Sequence, residues 1–534
     1  MRLNRDRDAL GLPARRLGTG RASNAGMKTF PQLLTAALFA ALVLIATDAG
    51  AADMKTLRIG LADDPDMLDP TLARTYTGRI VFAAMCDKLV DISPELDIVP
   101  QLATEWHWVD DNKGLVLKIR QGVKFQDGEP LDAAAVKFSI ERHLNMEGSN
   151  RKAEISAVTS VEIIDDHTVK LVLKAPFAPL LAALSDRAGM IVSPKAAQAA
   201  GDFATHPVCA GPYKFVERVA QDRIVLDRFA DYWNKDAIHF DRIVFLPIPD
   251  STVRLANLQS GGLDMIERLA ATDLDAARKD SRLKVSTITS LGYSSLASNL
   301  NNGPRAKGPL GQDPRVREAL ELSLDRAALN DVVFNGVFTP GNQWVDPKNP
   351  FYVKSHPIPA RDVAKAKQLL AAAGVPHLSL TLLSANTPET MRAAQVIQAM
   401  AGEAGFDIQI QAAESNTAIQ ASVDGQFDLY LAYWSGRTDP DGNLYNFISC
   451  KGPPALNPTH YCNPTVDAEL DAARTAQDTP GRLAHYAKVA DQVLADRPLI
   501  YLWHPTWLFA TSTKITGFAP YPDGLIRPQG MNSL

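Results

Sequence analysis

Between residues 378 and 433 short β-type runs alternate with helical ones. LSLTLL at 378–383, FDIQI at 406–410 and FDLYLAY at 427–433 carry the period-two, β-branched and aromatic texture of strands. PETMRAAQVIQAMA at 388–401 and TAIQASV at 417–423 carry helical spacing. Strand, helix, strand, helix, strand implies crossover connections, and therefore parallel pairing. The fold class predicted is α/β. Parallel strands end on one rim, where open α/β sheets collect ligands. Ser384, Gln411 and Trp434, each just past its strand, are thus expected to face one region, with Arg437 and Asp439 in reach.

The loop after Trp434 places Ser435, Arg437, Thr438, Asp439 and Asp441 around Pro440 and Gly442. It offers donors, acceptors and both signs of charge beside an indole. These are also ordinary turn formers, so a plain surface turn is the competing reading. The shared rim favours ligand contact.

A chain of 534 residues exceeds one compact core, which predicts two or three lobes. The first 52 residues differ in kind. Seven Lys/Arg precede or flank an apolar run at 33–45, followed by Ala49, Gly50, Ala51 and Ala52, the pattern of a cleaved secretory signal. Met27-Lys28 reads as a more natural start than Met1. The run of about 13 residues is short of the roughly 20 that span a bilayer, and no later stretch comes close. No cysteine near the cleavage region offers a lipid anchor. The expectation is an exported chain without a transmembrane segment.

Past residue 52 the chain holds 48 basic and 57 acidic residues, a formal charge of −9, with no basic block. Nucleic acid is therefore a poor partner. Export permits disulfides among Cys86, Cys209, Cys450 and Cys462. Cys450 and Cys462 would close a short proline-rich loop, worth roughly 3 kcal/mol by loop entropy. Zinc held there with His460 has the wrong spacing and too few ligands. Cys86 and Cys209 either pair or stay buried thiols.

Upstream, hairpins are predicted at 106–119, 161–173 and 213–229. Asp132 is placed as N-cap of DAAAVKFSIERHL and Ser251 as cap of a helix ending near Gly261. One helix is predicted through RVREALELSLDRAAL after Asp313-Pro314. Trp106, Trp108 and Trp233 read as packing residues. No HExxH, no GxSxG and no ligand-spaced histidines support a secreted hydrolase or metalloenzyme.

TEWHWVDDNKGLVLKIRQGVKFQDGEPLDAAAVKFSIER, VCAGPYKF, YWNKDAIHFDRIVFLPIPD, DPRVREALELSLDRAALNDVVFNGVFTPGNQW and the Trp434 loop together resemble the family 5 extracellular solute-binding proteins of bacterial ABC importers. These include oligopeptide, dipeptide and nickel receptors. The resemblance covers essentially all of the chain past residue 52. It implies a two-lobe periplasmic binding protein fold of type II, cluster C-like, with an extra subdomain in lobe I. Lobe I would comprise 53–298 and 505–534, and lobe II 299–504, with crossings near SSLASNLNN and LIYLWHP. The Cys450–Cys462 pair matches a loop disulfide of relatives.

The resemblance further implies a periplasmic, monomeric receptor without cofactor or catalytic residues, closing on a small solute and read by an inner-membrane permease. A nickel, metal-chelate or haem receptor is the alternative. Arg74, Tyr76 and Thr77 fall in the loop that faces the cleft in relatives, and Tyr293 and Asn299 on or beside the first crossing. Similar peptide receptors carry an aspartate for the peptide ammonium where this chain has Arg437. The dipeptide receptor's carboxylate-binding arginine aligns with Ser384. Facing Arg437 with an ammonium would cost several kcal/mol. An anionic or hydrogen-bonding group is therefore expected at Arg437, unless Asp439 simply neutralises it.

Overall fold

The computed structural model describes residues 54–534 apart from residue 200, so the expected signal segment lies outside the described residues. Local chemistry sets most element boundaries. Asp132 accepts from the Ala135 amide and starts the helix Ala133–Asn145, as predicted. Asp250, not Ser251, accepts from the Val253 amide and caps Ser251–Ser260. The single helix expected after Pro314 is two, Pro314–Ser323 and Arg326–Phe334. Leu324 is extended, and the Asp325 carboxylate accepts from the Ala328 amide, so an internal cap restarts the helix.

Three sheets organise the described chain. A seven-stranded sheet runs in the order Leu283–Thr289, Thr506–Ser512, Met265–Ile266, Thr56–Leu61, Arg242–Pro247, Arg223–Arg228, Tyr213–Val219. A six-stranded sheet runs Thr339–Pro340, Leu499–His504, Tyr293–Ser298, Leu429–Trp434, Leu378–Ala385, Phe406–Ala413. Within it Leu378–Ala385 pairs in parallel with both Phe406–Ala413 and Leu429–Trp434, as the alternation predicted. Four antiparallel strands, Ala103–Val109, Gly114–Ile119, Thr168–Leu173 and Val158–Asp165, form the extra subdomain. Its own core includes Leu115, Leu117, Phe125, Val136, Ile140 and Leu171. Burying each such side chain contributes about 1.5–3 kcal/mol.

The chain passes from the seven-stranded to the six-stranded sheet between Thr289 and Tyr293, and returns between His504 and Thr506. The first crossing therefore precedes SSLASNLNN. Tyr293–Ser298 is already committed to the second sheet, paired with Leu429–Trp434 on one side and Leu499–His504 on the other. The crossings touch, the Ser290 amide donating to the Pro505 carbonyl at 2.9 Å. Backbone also meets backbone where Leu291 bridges to Gly436. A Cβ on Gly436, at φ +85°, would lie 2.2 Å from the Leu291 carbonyl carbon. Only glycine holds that approach without strain. Both cysteine pairs are closed, Cys86 to Cys209 and Cys450 to Cys462.

Candidate functional site

A cavity of about 270 Å³ lies between the two large sheets, with walls from both. The second sheet presents the rim of its three parallel-paired strands. The strands run one to three residues further than predicted, so the rim groups are Ala385 and Thr387, Ser415 and Asn416, Tyr433 and Trp434. Ser384 is wholly buried one residue short of the rim, donating to the Ala385 carbonyl. Gln411 is exposed on its strand and does not line the cavity.

The facing wall comes from the first lobe. Tyr76 stacks on Trp507 with ring centroids 4.5 Å apart and planes 12° from parallel. Its hydroxyl donates to the Gly524 carbonyl at 2.6 Å. Tyr433 from the other lobe meets Trp507 edge-on at 6.3 Å. Trp434 is fixed by an indole N–H donated to Asn443 Oδ1 at 2.9 Å and by an edge contact with Phe447 at 4.7 Å. Such aromatic walls supply contact area at little conformational cost.

Five of the nine sequence-predicted site residues line this cavity: Arg74, Tyr76, Thr77, Tyr293 and Trp434. Thr77 is 1% exposed, and its hydroxyl has no partner among the described residues. Tyr293 donates to the Asn443 carbonyl and serves as wall. Arg74 makes one distant ion pair, 3.8 Å from Asp66.

The other four stand elsewhere. Asn299 is buried and donates to the Asn302 and Phe427 carbonyls, pinning a turn below the rim. Ser384 is the strand residue described above. Asp439 is held by Arg482 through two bonds of 2.7 and 2.6 Å, so it does not neutralise Arg437. Arg437 lies behind Trp434, its guanidinium carbon 4.3 Å from the ring centroid, and its Nε stands 2.9 Å from Asp186 of the first lobe. Burial lowers the Arg437 pKa to about 10, against the pull of Asp186. The cation expected to meet solute is engaged across the lobe interface.

Sequence reasoning missed Trp507, Arg268, Glu389 and Ser415. Trp507 stands two residues past the second crossing, and Glu389 opens the helix after the first parallel strand; both positions were readable. Arg268 gave no signal. Its guanidinium bonds Asp63 at 2.7 Å and Glu267 at 2.8 Å, and Ser415 donates to the same Asp63 at 2.6 Å across the lobes. Glu389 has no ion pair or hydrogen-bond partner among the described residues. Burial pushes its carboxyl up, with Arg268 and Arg254 pulling the other way. No three His, Cys, Asp or Glu side chains group as a metal site among the described residues, and no described helix is long and apolar enough to cross a membrane.

Residues 97–454 match the family model of the bacterial extracellular solute-binding proteins, family 5 middle region. The chain belongs to this family. It is a two-lobe solute-binding receptor, and the cavity sits where its lobes meet. The receptor is 29% identical over 505 residues to the glutathione-binding protein GsiB of Pectobacterium atrosepticum, covering 92% of this chain and 95% of that one. Among solved structures, the periplasmic binding protein AgaA of A. tumefaciens R10, in complex with agropinic acid, superposes with a TM-score of 0.81 at 27% identity, covering 90% of this chain and 99% of the other. The Escherichia coli murein tripeptide binding protein MppA shares the fold at a TM-score of 0.82 and 24% identity, covering 90% and 99%.

Proposed function

We propose that the receptor works in the periplasm as a monomer, captures a small peptide-like solute bearing an ammonium group, and delivers it unchanged to an ABC permease. The observation that supports this solute class is Glu389. It is a carboxylate on the cavity wall without a partner among the described residues, and burial raises its pKa. An ammonium beside it would restore the charged form and satisfy both groups. The volume of about 270 Å³ is near the small end of ligand pockets, roughly 300–1,000 Å³, which favours a short solute over an extended chain. A relative named for glutathione, itself a small peptide, points the same way.

Mass spectrometry of the copurifying solute, followed by calorimetry with that solute and its N-acetylated form, tests the reading. Acetylation or Glu389→Gln is expected to weaken binding by ~10-fold or more, equivalent to about 1.4 kcal/mol. Equal affinity for the free and acetylated forms would exclude an ammonium at Glu389. Recovery of an altered solute would exclude a receptor without chemistry.

A further inference from the structure

Behind Trp434 lies a second cavity of about 30 Å³, whose polar lining is Arg437, Asn446 and four carboxylates, Glu154, Asp186, Asp439 and Asp441. The geometry points to a monovalent-anion site there, held by Arg437 and Asn446 within an over-charged cluster of arginines, and taking either a halide or the carboxylate of a bound molecule.

The charge balance carries the inference. Asp441 is matched by Arg474 at 2.7 and 2.9 Å, Asp439 by Arg482, and Glu154 by Arg151 at 2.6 Å. That leaves Asp186 alone to face three guanidiniums. It lies 2.8 Å from Arg79, 2.9 Å from Arg437 and 3.8 Å from Arg187. All four side chains are at least nine-tenths buried. Asp523, which also acts on Arg79, shares Arg527 with Asp91. Guanidiniums therefore outnumber the carboxylates that face them among these buried side chains. A lysine or histidine there could lose its proton, but arginine does not. The remaining remedy is a counter-ion.

Hydrogen bonding locates it. Arg437 Nη2 is buried with no acceptor and stands 4.0 Å from a Glu154 already engaged by Arg151. The side-chain oxygen of Asn446 is likewise buried without a partner, and turning that amide over presents an N–H to the same cavity. Room for about one water-sized species, ~30 Å³, suits a halide or one end of a carboxylate. Burial, and after it the neighbouring Arg151, lowers the Arg187 pKa.

Crystals of the full receptor, freed of solute and equilibrated in sodium bromide, test this by anomalous scattering. The expected result is one bromide within about 3.5 Å of Arg437 Nη2, a distance set by hydrogen-bond reach. In solution, chloride line-broadening by NMR should saturate, with affinity falling about fivefold or more in Arg437→Gln and in Arg187→Met. Crystals that retain the copurifying solute separate the two sources. A solute carboxylate in the cavity assigns the occupant to the solute, and a halide assigns it to the medium; either supports the site. Water alone in the bromide crystals, together with no saturable broadening by the unsubstituted protein, would overturn the inference.

Discussion

Asp186→Asn removes the carboxylate that Arg79, Arg187 and Arg437 share while keeping the side chain's shape. Asp186 accepts from Arg79 Nε at 3.2 Å and from the Arg187 amide at 2.7 Å, besides its 2.9 Å contact with Arg437 Nε. Burial works to raise its pKa, yet Arg437 and Arg79 hold it well below the usual carboxylate range, so it is charged when folded. Removing one partner of a buried pair costs about 3–5 kcal/mol, chiefly because the opposite charge stays buried alone. Here three cations would stay, which places the expected loss at the upper end. The strain has an outlet. Arg437 belongs to the second lobe, and separating the lobes returns it to water.

Part of the loss should therefore appear as opening. Solute-free Asp186→Asn is expected to show a larger radius of gyration by small-angle scattering and an unfolding midpoint in urea well below the parent's. Arg437→Met alone should cost less, and a cycle with Asp186→Asn should give a coupling of about 1.5–3 kcal/mol. Loss within ~1 kcal/mol of the parent, with coupling under about 0.5 kcal/mol and an unchanged radius, would refute the claim that this pair spans the lobes.

Three further outcomes follow from the same structure. His143 is buried, bonded to Thr71 Oγ1 at 2.9 Å and Met190 O at 3.1 Å, and burial lowers its pKa to about 4. Because the folded value lies below the unfolded one, its contribution is present above pH 6.5 and lost as pH falls towards 4. The loss is ~3 kcal/mol, at up to ~1.4 kcal/mol per pH unit, and His143→Gln should flatten that part of the pH–stability curve. Replacing both Cys86 and Cys209 by serine opens a closure over 123 residues and should cost up to about 5 kcal/mol by loop entropy, read from urea unfolding. Trp434→Ala removes the wall shared by both cavities and should weaken solute binding by ~30-fold or more in calorimetry, about 2 kcal/mol for a central aromatic contact.

Much of the fold was legible because it rests on short-range chemistry. Period-two runs, capping aspartates and the strand–helix alternation at 378–433 each act within a few residues, and their elements formed nearly where predicted. Errors arose where two local signals competed, as at Asp325, whose capping carboxylate ended one helix and began another. The rim was legible in part for the same reason: chain direction fixes which end of parallel strands faces the cavity, and Trp434 is there, while Ser384 and Gln411 are not because their strands run further than predicted.

The sequence by itself determined the α/β class, the rim and the aromatic character of the site, since pattern and chain direction suffice for those. Only the tertiary structure decided which charges are free. Arg437 and Asp439 sit two residues apart, yet one pairs with Asp186, 251 positions earlier in the numbering, and the other with Arg482. An arginine's partner is chosen by packing between lobes and by the exclusion of water, neither of which leaves a mark on neighbouring residues. Glu389 could be placed near the rim from the sequence, but that no described side chain bonds or ion-pairs with it, while Arg268 and Arg254 act on it from further off, became visible only once the lobes were set against each other.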